Sequence, residues 1–349
     1  MAFFKASPYS FKDTLKWLWY NFFPSTKMEE DFQRAPTEFN DEQLAGEETM
    51  IMSFVGDLMC LPGEVVPIPH ESMKEIFRRS DILVGNLEAP LVSEKKRHDF
   101  NAFVFSFSEE FLREFMDEYG IEAQKLVLTV ANNHIGDQGE DGLVQTEKRV
   151  SGMGVQVVGT KNDLAKISAR MVNGFNVGFL AWSEWLNCTV FNEGEGIVRQ
   201  DDVIELDISK IKMDSEVDFM IALPHWGYEF RHFPERKTRK LAKMLVQNGV
   251  DLISGHHPHV LRPIEMISGS PCHYSLGNFF ARTIHWATKI TGIWEVEIVR
   301  NGDKKGRIVR WKFHPYFMMK EGKKIIFKPL SEAPKKVRKR FDLIYGVST

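Results

Sequence analysis

Short apolar runs that stop abruptly at glycine or polar residues recur along the chain. These runs lie at 50–55, 82–85, 125–130, 155–159, 176–182, 217–223 and 250–254. Their shortness and their flanking turn residues are typical of buried strands. Stretches with helical spacing separate them, at 73–79, 140–154, 201–211, 241–249 and from about residue 331. This alternation predicts an α/β layered fold, to which later strands at 294–299 and 308–313 add an antiparallel part.

The run at 250–254 carries the densest polar cluster of the sequence at its end. It stops at Ser254 and Gly255, and His256, His257 and His259 follow. In an extended segment His257 and His259 would point the same way and could meet one metal centre. Pro258 between them favours extended backbone at the preceding residue. We therefore predict an extended His-Pro-His segment that ligates metal.

Other predicted strands also end in residues that can bind metal. The candidates are Asp57, Glu88, Asn133 with the adjacent His134, and His225. In an open α/β sheet the strand ends are where ligands bind, so five such ends argue for one converging site. Carboxylate, amide and imidazole ligands together suit Mn²⁺, Fe²⁺ or Zn²⁺. Because one tetrahedral ion needs fewer ligands, the sequence favours two divalent ions bridged by a carboxylate.

The amino-acid composition limits the kinds of binding partner and the cellular compartment that we expect. The 349 residues are 43% hydrophobic and 27% charged, as in ordinary soluble proteins, and the net charge of −3 gives no general attraction to nucleic acid. The three cysteines form no CxxC pair, which favours a reducing compartment without a disulfide framework. With no secretory signal visible, we expect a cytoplasmic protein.

The two ends of the chain differ from the middle. Ser10 and Pro24 delimit a predicted aromatic helix at 11–23. Its apolar stripe consists of Phe11, Leu15, Leu18 and Phe22, and is widened by Trp17, Trp19 and Tyr20. This helix is too short and too charged to span a bilayer, so it either docks on the domain or lies in a membrane interface. Residues 27–48 are acidic and polar and predict a linker. The last fifty residues are basic, which indicates either a solvated face or a surface for an anionic partner or membrane.

Six short motifs in order resemble the bacterial capsule synthesis protein CapA family. They are Gly56-Asp57, Asn86-Leu-Glu88, Ala131-Asn-Asn-His134 with Asp137 and Gly139, His225-Trp-Gly-x-Glu229, Gly255-His-His-Pro-His259 and Tyr274-Ser-Leu-Gly-Asn-Phe279. The family includes the PgsA proteins of poly-γ-glutamate synthesis and belongs to the calcineurin-like metallophosphoesterase superfamily. The resemblance runs from about Ser53 to Phe280.

The resemblance implies a four-layer α/β/β/α sandwich with two metal positions. Asp57 and His259 would hold one ion, and Asn133, His225 and His257 the other. Glu88 would bridge them. His134, with Asp137 of the same motif, would act in catalysis beside the metals.

The chain departs from the superfamily pattern at one metal position. Met59 stands where the superfamily has a histidine, which removes a ligand there. Asn86 is a possible replacement oxygen, and His256 does not occupy a ligand place.

The implied function is a metal-dependent hydrolase that acts on an anionic substrate, either a phosphoester or a polyglutamate-like polymer of a capsule. The alternative is a non-catalytic accessory protein of a polymer synthase complex with a degenerate metal site. Lys161, Arg199 and Arg231 are available to bind an anion, and Trp182, Trp185 and Trp226 are candidates for the cleft wall. We divide the chain into an N-terminal helix and linker (1–48), the CapA-like domain (49–300) and a basic C-terminal extension packed on it (301–349).

Overall fold

The computed structural model describes residues 8–59, 61–94, 104–164, 168–187, 191, 196–281 and 285–348. All candidate site residues lie within these ranges. Cys60 and Cys188 lie outside them, and Cys272 is a buried free thiol.

Strands and helices alternate through most of the described chain. The strands are β1 (Glu38–Asn40), β2 (Thr49–Leu58), β3 (Ile82–Leu87), β4 (Leu126–Thr129), β5 (Gln156–Val158), β6 (Ser168–Val172), β7 (Phe175–Ser183), β8 (Phe219–His225), β9 (Leu252–Ser254), β10 (Leu261–Ile267), β11 (Ser270–Leu276), β12 (Asn278–Phe280), β13 (Ile290–Val299), β14 (Ile308–Glu321) and β15 (Lys324–Pro329). The helices are α1 (Phe11–Phe22), α2 (Glu71–Arg79), α3 (Glu109–Tyr119), α4 (Glu140–Gly152), α5 (Lys161–Leu164), α6 (Gln200–Ile204), α7 (Ile208–Asp214), α8 (Arg236–Gln247) and α9 (Lys335–Tyr345).

The strands form two sheets that are each parallel in the middle. In the larger sheet the order is β1-β14-β13-β2-β3-β4-β5, with β12 beside β2 and β15 beside β14. Strands β2 to β5 run parallel, and β13 is antiparallel to β2. In the smaller sheet the order is β10-β11-β9-β8-β7-β6, and β7, β8, β9 and β11 run parallel. Both sheets therefore gather several carboxyl strand ends at one edge.

Apolar side chains pack in three successive layers around the sheets. One core cluster joins the inner faces of both sheets, with Phe54 and Val84 from one and Phe179 and Ile221 from the other. A second lies between the larger sheet and helices α2 and α3, and a third lies between the smaller sheet and α8. Burial of each large apolar side chain contributes about 1.5–3 kcal/mol, so these layers hold the sheets together. The predicted four-layer α/β/β/α sandwich is confirmed.

Some elements differ from the sequence prediction. The helix predicted at 201–211 is two helices, α6 and α7, because Asp207 caps a new helix by accepting from the backbone N–H of Lys210. Helix α3 and the hairpin of β10 with β11 were not predicted. That hairpin is buried along nearly its whole length, so it lacks the polar alternation that marks a half-exposed strand.

The predicted linker packs against the body of the protein. Strand β1 pairs with β14, and Phe32 lies in the core cluster beside α8. Its acidic residues pair with basic residues near the C-terminus, in the ion pairs Asp41–Arg307, Glu47–Lys304 and Glu38–Lys312. Part of the basic charge of the C-terminal region is therefore neutralised within the molecule. The division into three parts stays a prediction.

Helix α1 docks through the face opposite its apolar stripe. Ser10 caps it as predicted, by accepting from the backbone N–H of Asp13. Trp17 is its buried residue, and it packs with Tyr9, Phe230 and Val260 in a small cluster. The helix thus docks on the domain, while its apolar stripe faces solvent.

Candidate metal centre

Asp57 is placed at the end of β2 by a local irregularity of the strand. The register of β2 against β3 shifts between Phe54 and Asp57. A side chain at Gly56 would have no room, since a Cβ there would lie 2.0 Å from the carbonyl oxygen of Gly277. The backbone N–H of Asp57 donates to that same oxygen at 2.9 Å. Glycine therefore allows the close approach that turns Asp57 into the site.

The Asp57 carboxylate is buried and surrounded by donors. It accepts from Asn86 Nδ2 at 2.9 Å, and His256 Nδ1 lies 3.1 Å from Oδ1. Burial raises the pKa of Asp57, but hydrogen bonds from His256 and His259 outweigh burial and hold that pKa well below its usual range. Asp57 is therefore an anion. His256 orients it, which agrees with the expectation that His256 is not a ligand.

Glu88 has a buried carboxylate oxygen without a hydrogen-bond partner. Among the described residues nothing bonds its Oε1, which lies 3.5 Å from His225 Nε2 and 3.6 Å from His259 Nε2. Burial, and then the negative charge of Asp57, raise the pKa of Glu88 well above its usual range. A cation bound between this buried oxygen and the two imidazoles would give the oxygen the partner that it lacks.

The orientation of Asn86 follows from two backbone groups. Asn132 Oδ1 accepts from the backbone N–H of His134 at 3.1 Å, and Asn132 Nδ2 donates to the Leu87 carbonyl at 2.9 Å. The same Nδ2 donates to Asn86 Oδ1 at 3.0 Å, so Asn86 turns its NH₂ group toward Asp57 and Glu88. The amide oxygen of Asn86 thus faces Asn132 and its NH₂ group faces the carboxylates, which argues against Asn86 as the replacement oxygen ligand.

Three potential ligand atoms lie close to a fourth, His225 Nε2. This nitrogen lies 2.7 Å from Asn133 Oδ1, 3.0 Å from His257 Nδ1 and 3.5 Å from Glu88 Oε1. In tetrahedral or octahedral sites with bonds of about 2.1 Å, neighbouring ligand atoms lie about 3.0–3.4 Å apart. Burial lowers the pKa of both His225 and His257, so the rings are neutral, as metal ligation requires. These four residues fit one divalent cation.

A second group shares Glu88. Asp57, Glu88 and His259 each offer a ligand atom within 4.8 Å of the others. His259 Nδ1 lies 2.8 Å from Asn278 Oδ1, which leaves Nε2 on the side of Glu88. Although burial opposes it, the charges of Glu88 and Asp57 raise the pKa of His259 to about 10. Met59, buried at the end of β2, supplies no further nitrogen. This position has fewer ligands than the first.

The backbone of the His-Pro-His segment differs from the prediction. His257 has φ of 93° and His259 has φ of 56°, so neither residue is extended. The two rings lie with centroids 6.1 Å apart and belong to different ligand groups. The prediction of an extended segment is therefore wrong, although both histidines lie in the one candidate metal centre. Positive φ at a residue other than glycine costs of order 1–3 kcal/mol, a strain that proteins concentrate at functional sites.

His134 and Asp137 form a buried pair beside the metal ligands. His134 Nδ1 lies 2.9 Å from Asp137 Oδ2, which also accepts from the backbone N–H of Phe105 at 2.8 Å. The Phe105 ring stands edge-on to the imidazole. Asp137 therefore orients His134 and favours a proton on its Nδ1, so that the lone pair is on Nε2, which lies 3.4 Å from the Asn187 amide nitrogen.

The basic residues proposed for anion binding have partners within the protein. Lys161 pairs with Asp202 at 2.5 Å, and Arg231 contacts Asp13 and Glu235. Arg199 donates through Nη2 to the Glu184 carbonyl at 3.3 Å.

The three tryptophans proposed for the cleft wall separate into two environments. Trp182 and Trp226 lie in the core cluster beside α8, with their rings edge-on to each other. The Trp185 ring instead stands edge-on to the Tyr9 ring, with the two ring centroids 4.9 Å apart. Among the three, Trp185 is therefore the one beside the segment that reaches the site.

Several site residues were missed from the sequence. Asn278 and Glu229 lie in the quoted motifs, so their positions were visible while their roles were not. Asn132 stands beside the predicted ligand Asn133. Tyr9 contacts His257 from the N-terminal segment, and nothing in its local sequence indicates that contact.

Comparison with known proteins places the central region in a family. A family model described as bacterial capsule synthesis protein PGA_cap matches residues 52–283. The PGA biosynthesis protein CapA of Bacillus subtilis is 28% identical over 285 residues, which cover 77% of this chain and 73% of that protein. The capsule biosynthesis protein CapA of Bacillus anthracis is 30% identical over 274 residues, 73% of this chain and 65% of that protein.

A solved structure adds a distant likeness. A phosphatase from Mycoplasma pneumoniae is similar with a TM-score of 0.45 and 14% identity, over 77% of this chain and 94% of that one. Among the described residues, every helix is too short or too polar to cross a membrane.

Proposed function

Because the chain belongs to the bacterial capsule synthesis protein PGA_cap family, we propose that it is a metal-dependent hydrolase of the metallophosphoesterase type. We propose further that it acts in the synthesis or processing of an anionic capsule polymer such as poly-γ-glutamate. The names of its Bacillus relatives support the proposed role with a capsule polymer, and the geometry at the strand ends supports the proposed metal-dependent hydrolysis.

The observation that carries the proposal is the position of Glu88. Its buried Oε1 has no hydrogen-bond partner among the described residues and lies between the two ligand groups. A carboxylate kept there without a cation would be costly, because burial of an uncompensated charge costs several kcal/mol. Glu88 would bridge two ions, with Asn133, His225 and His257 on one side and Asp57 and His259 on the other.

The chain's own residues provide the remaining chemistry. Divalent cations would supply Lewis acidity and lower the pKa of a water, which suits attack on a phosphoester and, less directly, on an amide. His134, held at Nδ1 by Asp137, would stabilise charge or protonate the leaving oxygen through Nε2 when its ring is the doubly protonated imidazolium, and it would then keep the Nδ1 proton.

Metal analysis combined with turnover tests the proposal. Protein purified without chelators is analysed for metal content and assayed with an aryl phosphodiester and an aryl phosphomonoester in added Mn²⁺. We expect near two metals per chain in the wild type, and we expect His257→Ala to lose turnover and part of the metal. His314→Gln, in β14 outside the site, is the control and should match the wild type.

The same measurement decides between the hydrolase and an accessory protein. Met59 in place of a histidine favours the accessory role, because it leaves the second position with fewer ligands. One metal or none, with no turnover of either ester, would refute the two-metal hydrolase and support the accessory protein. Sizing poly-γ-glutamate after incubation with the protein then tests whether the polymer itself is cleaved.

The exposed face of α1 supports a peripheral membrane contact. Its apolar stripe is open to solvent, with Phe11 82%, Trp19 62% and Phe22 53% exposed. Lys12 and Lys16 stand on the same helix, and although Lys16 pairs with Asp13 at 3.2 Å, lysines in this position attract anionic lipid headgroups. A helix with aromatic residues on one face and lysines beside them is suited to lie in a bilayer interface. The predicted cytoplasmic location stays a prediction.

Vesicle sedimentation tests this contact. The wild type should sediment with vesicles of phosphatidylglycerol and phosphatidylcholine, and the double variant Trp19→Glu with Phe22→Glu should not. Met213→Glu, on α7 with 72% exposure, is the matched control and should sediment like the wild type. Equal sedimentation of the wild type and the double variant would refute the contact.

A further inference from the structure

The segment before α1 brings a tyrosine hydroxyl to the metal centre. Tyr9 is buried, and its hydroxyl lies 2.6 Å from His257 Nε2. The hydroxyl also donates to Glu229 Oε1 at 3.2 Å and accepts from the backbone N–H of Glu229 at 3.3 Å. Tyr9 lies outside residues 52–283, the region that the family model matches. The contact is therefore a feature of this chain beyond the family's core.

The hydrogen bonds of Tyr9 determine which nitrogen of His257 carries the proton. A carboxylate oxygen only accepts and a backbone N–H only donates, so the single phenolic hydrogen goes to Glu229. The bond between Tyr9 and His257 then needs a hydrogen from Nε2. The other nitrogen, Nδ1, then carries the lone pair and lies at hydrogen-bond distance, 3.0 Å, from His225 Nε2, within the first ligand group.

We propose that Tyr9 and Glu229 are positioning residues that hold His257 with its proton on Nε2 and its Nδ1 lone pair directed at the cation position. This inference rests on the proposed metal centre. A hydrogen-bond partner on the second ring nitrogen is the usual way in which proteins fix the orientation of a metal-binding histidine. Here the partner comes from a segment more than two hundred residues away in sequence.

Helix α1 anchors this arrangement. Trp17 donates from Nε1 to Glu229 Oε2 at 2.6 Å, so both carboxylate oxygens of Glu229 are engaged by the N-terminal segment. The Tyr9 ring is itself confined by Trp185 and Tyr228, with centroids at 4.9 and 5.2 Å. The docked N-terminal segment is therefore part of the site's support.

Tyr9→Phe tests the proposal because it removes the hydroxyl and keeps the ring in its aromatic pocket. Tyr20→Phe is the matched control, since it removes a hydroxyl from α1 within the same aromatic cluster without contact to His257. The metal-free proteins are labelled with ¹⁵N-histidine, and the His257 signals are assigned from their loss in His257→Ala. We expect a proton on Nε2 in the wild type and in Tyr20→Phe, and a mixture of tautomers in Tyr9→Phe.

Metal affinity provides the second measurement. Loss of such a partner typically weakens metal binding about 10–100-fold, and we expect this for Mn²⁺ or Zn²⁺ with Tyr9→Phe and a similar loss with Glu229→Gln. Wild-type affinity in Tyr9→Phe, or a proton on Nδ1 in the wild type, would overturn the proposal. A wild type that binds no metal would refute the proposed function, whereas the tautomer measured in the metal-free protein would still decide the role of Tyr9.

Discussion

Replacing Glu88 by glutamine should have opposite effects on stability with and without metal. Without metal, Glu88 is a buried carboxyl group close to Asp57, and burial together with that charge opposes its ionisation. Glutamine has nearly the same shape and no charge. His259 Nε2 lies 3.6 Å from Glu88 Oε1 and favours the ionised form, but burial and Asp57 outweigh it and keep the pKa of Glu88 raised. Replacing buried charges by neutral groups of similar volume is often neutral or stabilises a protein by about 1–4 kcal/mol. We therefore expect the variant to be more stable than the wild type in chelator.

The size of the effect follows from the length of the chain. Unfolding entropy of about 2.1 cal/mol/K per residue gives roughly 0.7 kcal/mol/K for a chain of this length. A gain of about 1–4 kcal/mol thus raises the melting temperature by roughly 1–6 °C. Saturating the wild type with metal at 100 times Kd adds about 2.7 kcal/mol, or roughly 4 °C. Glu88→Gln should lose most of that metal-dependent gain, because it removes the bridging ligand.

Calorimetric melting in EDTA and in excess Mn²⁺ measures both effects. Glu265→Gln is a matched control, since Glu265 is also buried but is paired with Arg239 and accepts from the Tyr274 hydroxyl. That control should be less stable than the wild type in both conditions and should keep the full metal-dependent shift. A Glu88→Gln variant with the wild-type metal shift would show that Glu88 binds no cation. A variant less stable than the wild type in EDTA would refute the charge argument.

Three further predictions concern catalysis, packing and pH. His134→Gln should lower turnover by roughly 10²–10⁴-fold without changing the metal content measured by elemental analysis. Gly56→Ala should cost roughly 2–4 kcal/mol in urea unfolding, because its Cβ would meet the Gly277 carbonyl at 2.0 Å. Burial lowers the pKa of His232 and of His273 to about 3. As the pH is lowered past about 6.5, these histidines take up protons in the unfolded chain before they do so in the folded protein. The free energy of unfolding should therefore decrease by about 1.4 kcal/mol per pH unit for each histidine. A urea midpoint that stays constant from pH 7 to 5 would contradict this.

The layered fold, and the grouping of the polar residues at the strand ends, could be predicted because both depend on short local patterns. An apolar run that stops at Gly56-Asp57 or at Gly255-His256 indicates a buried strand and its end together. In parallel sheets such ends meet at one edge, so residues far apart in sequence converge. The polar residues at these ends were therefore identifiable as one group before their geometry was known.

The roles of individual polar residues could not be predicted in the same way. Asn86 carries an oxygen suited to a cation, yet the fold engages that oxygen with Asn132 and turns the amide nitrogen toward the carboxylates. Asn132 is itself fixed by two backbone groups of other segments. An amide side chain accepts and donates equally well, so only the surrounding network decides which end faces the site. That network joins residues from different segments, so the local sequence does not reveal it.

Backbone strain was equally hidden from the sequence. Proline at 258 favours extended geometry at His257, but His257 has φ of 93°. The tertiary contacts outweigh that preference: the backbone N–H of His257 donates to Asp57 at 3.3 Å, and its ring lies between His225 and Tyr9. Local propensity differs by only about 1 kcal/mol per residue, less than such a set of contacts contributes.

Helix α1 shows how a correct helix prediction can leave its function open. The stripe that includes Phe11 and Phe22 indicated a helix, and apolar periodicity normally marks the buried face. Here the opposite face docks, because Trp17 and Tyr9 find a carboxylate, Glu229, that only the folded domain presents. The exposed stripe and the docked segment therefore have separable roles. Charges on the exposed stripe should abolish vesicle binding and leave the His257 tautomer unchanged. Loss of the Tyr9 hydroxyl should change the His257 tautomer and leave vesicle binding unchanged.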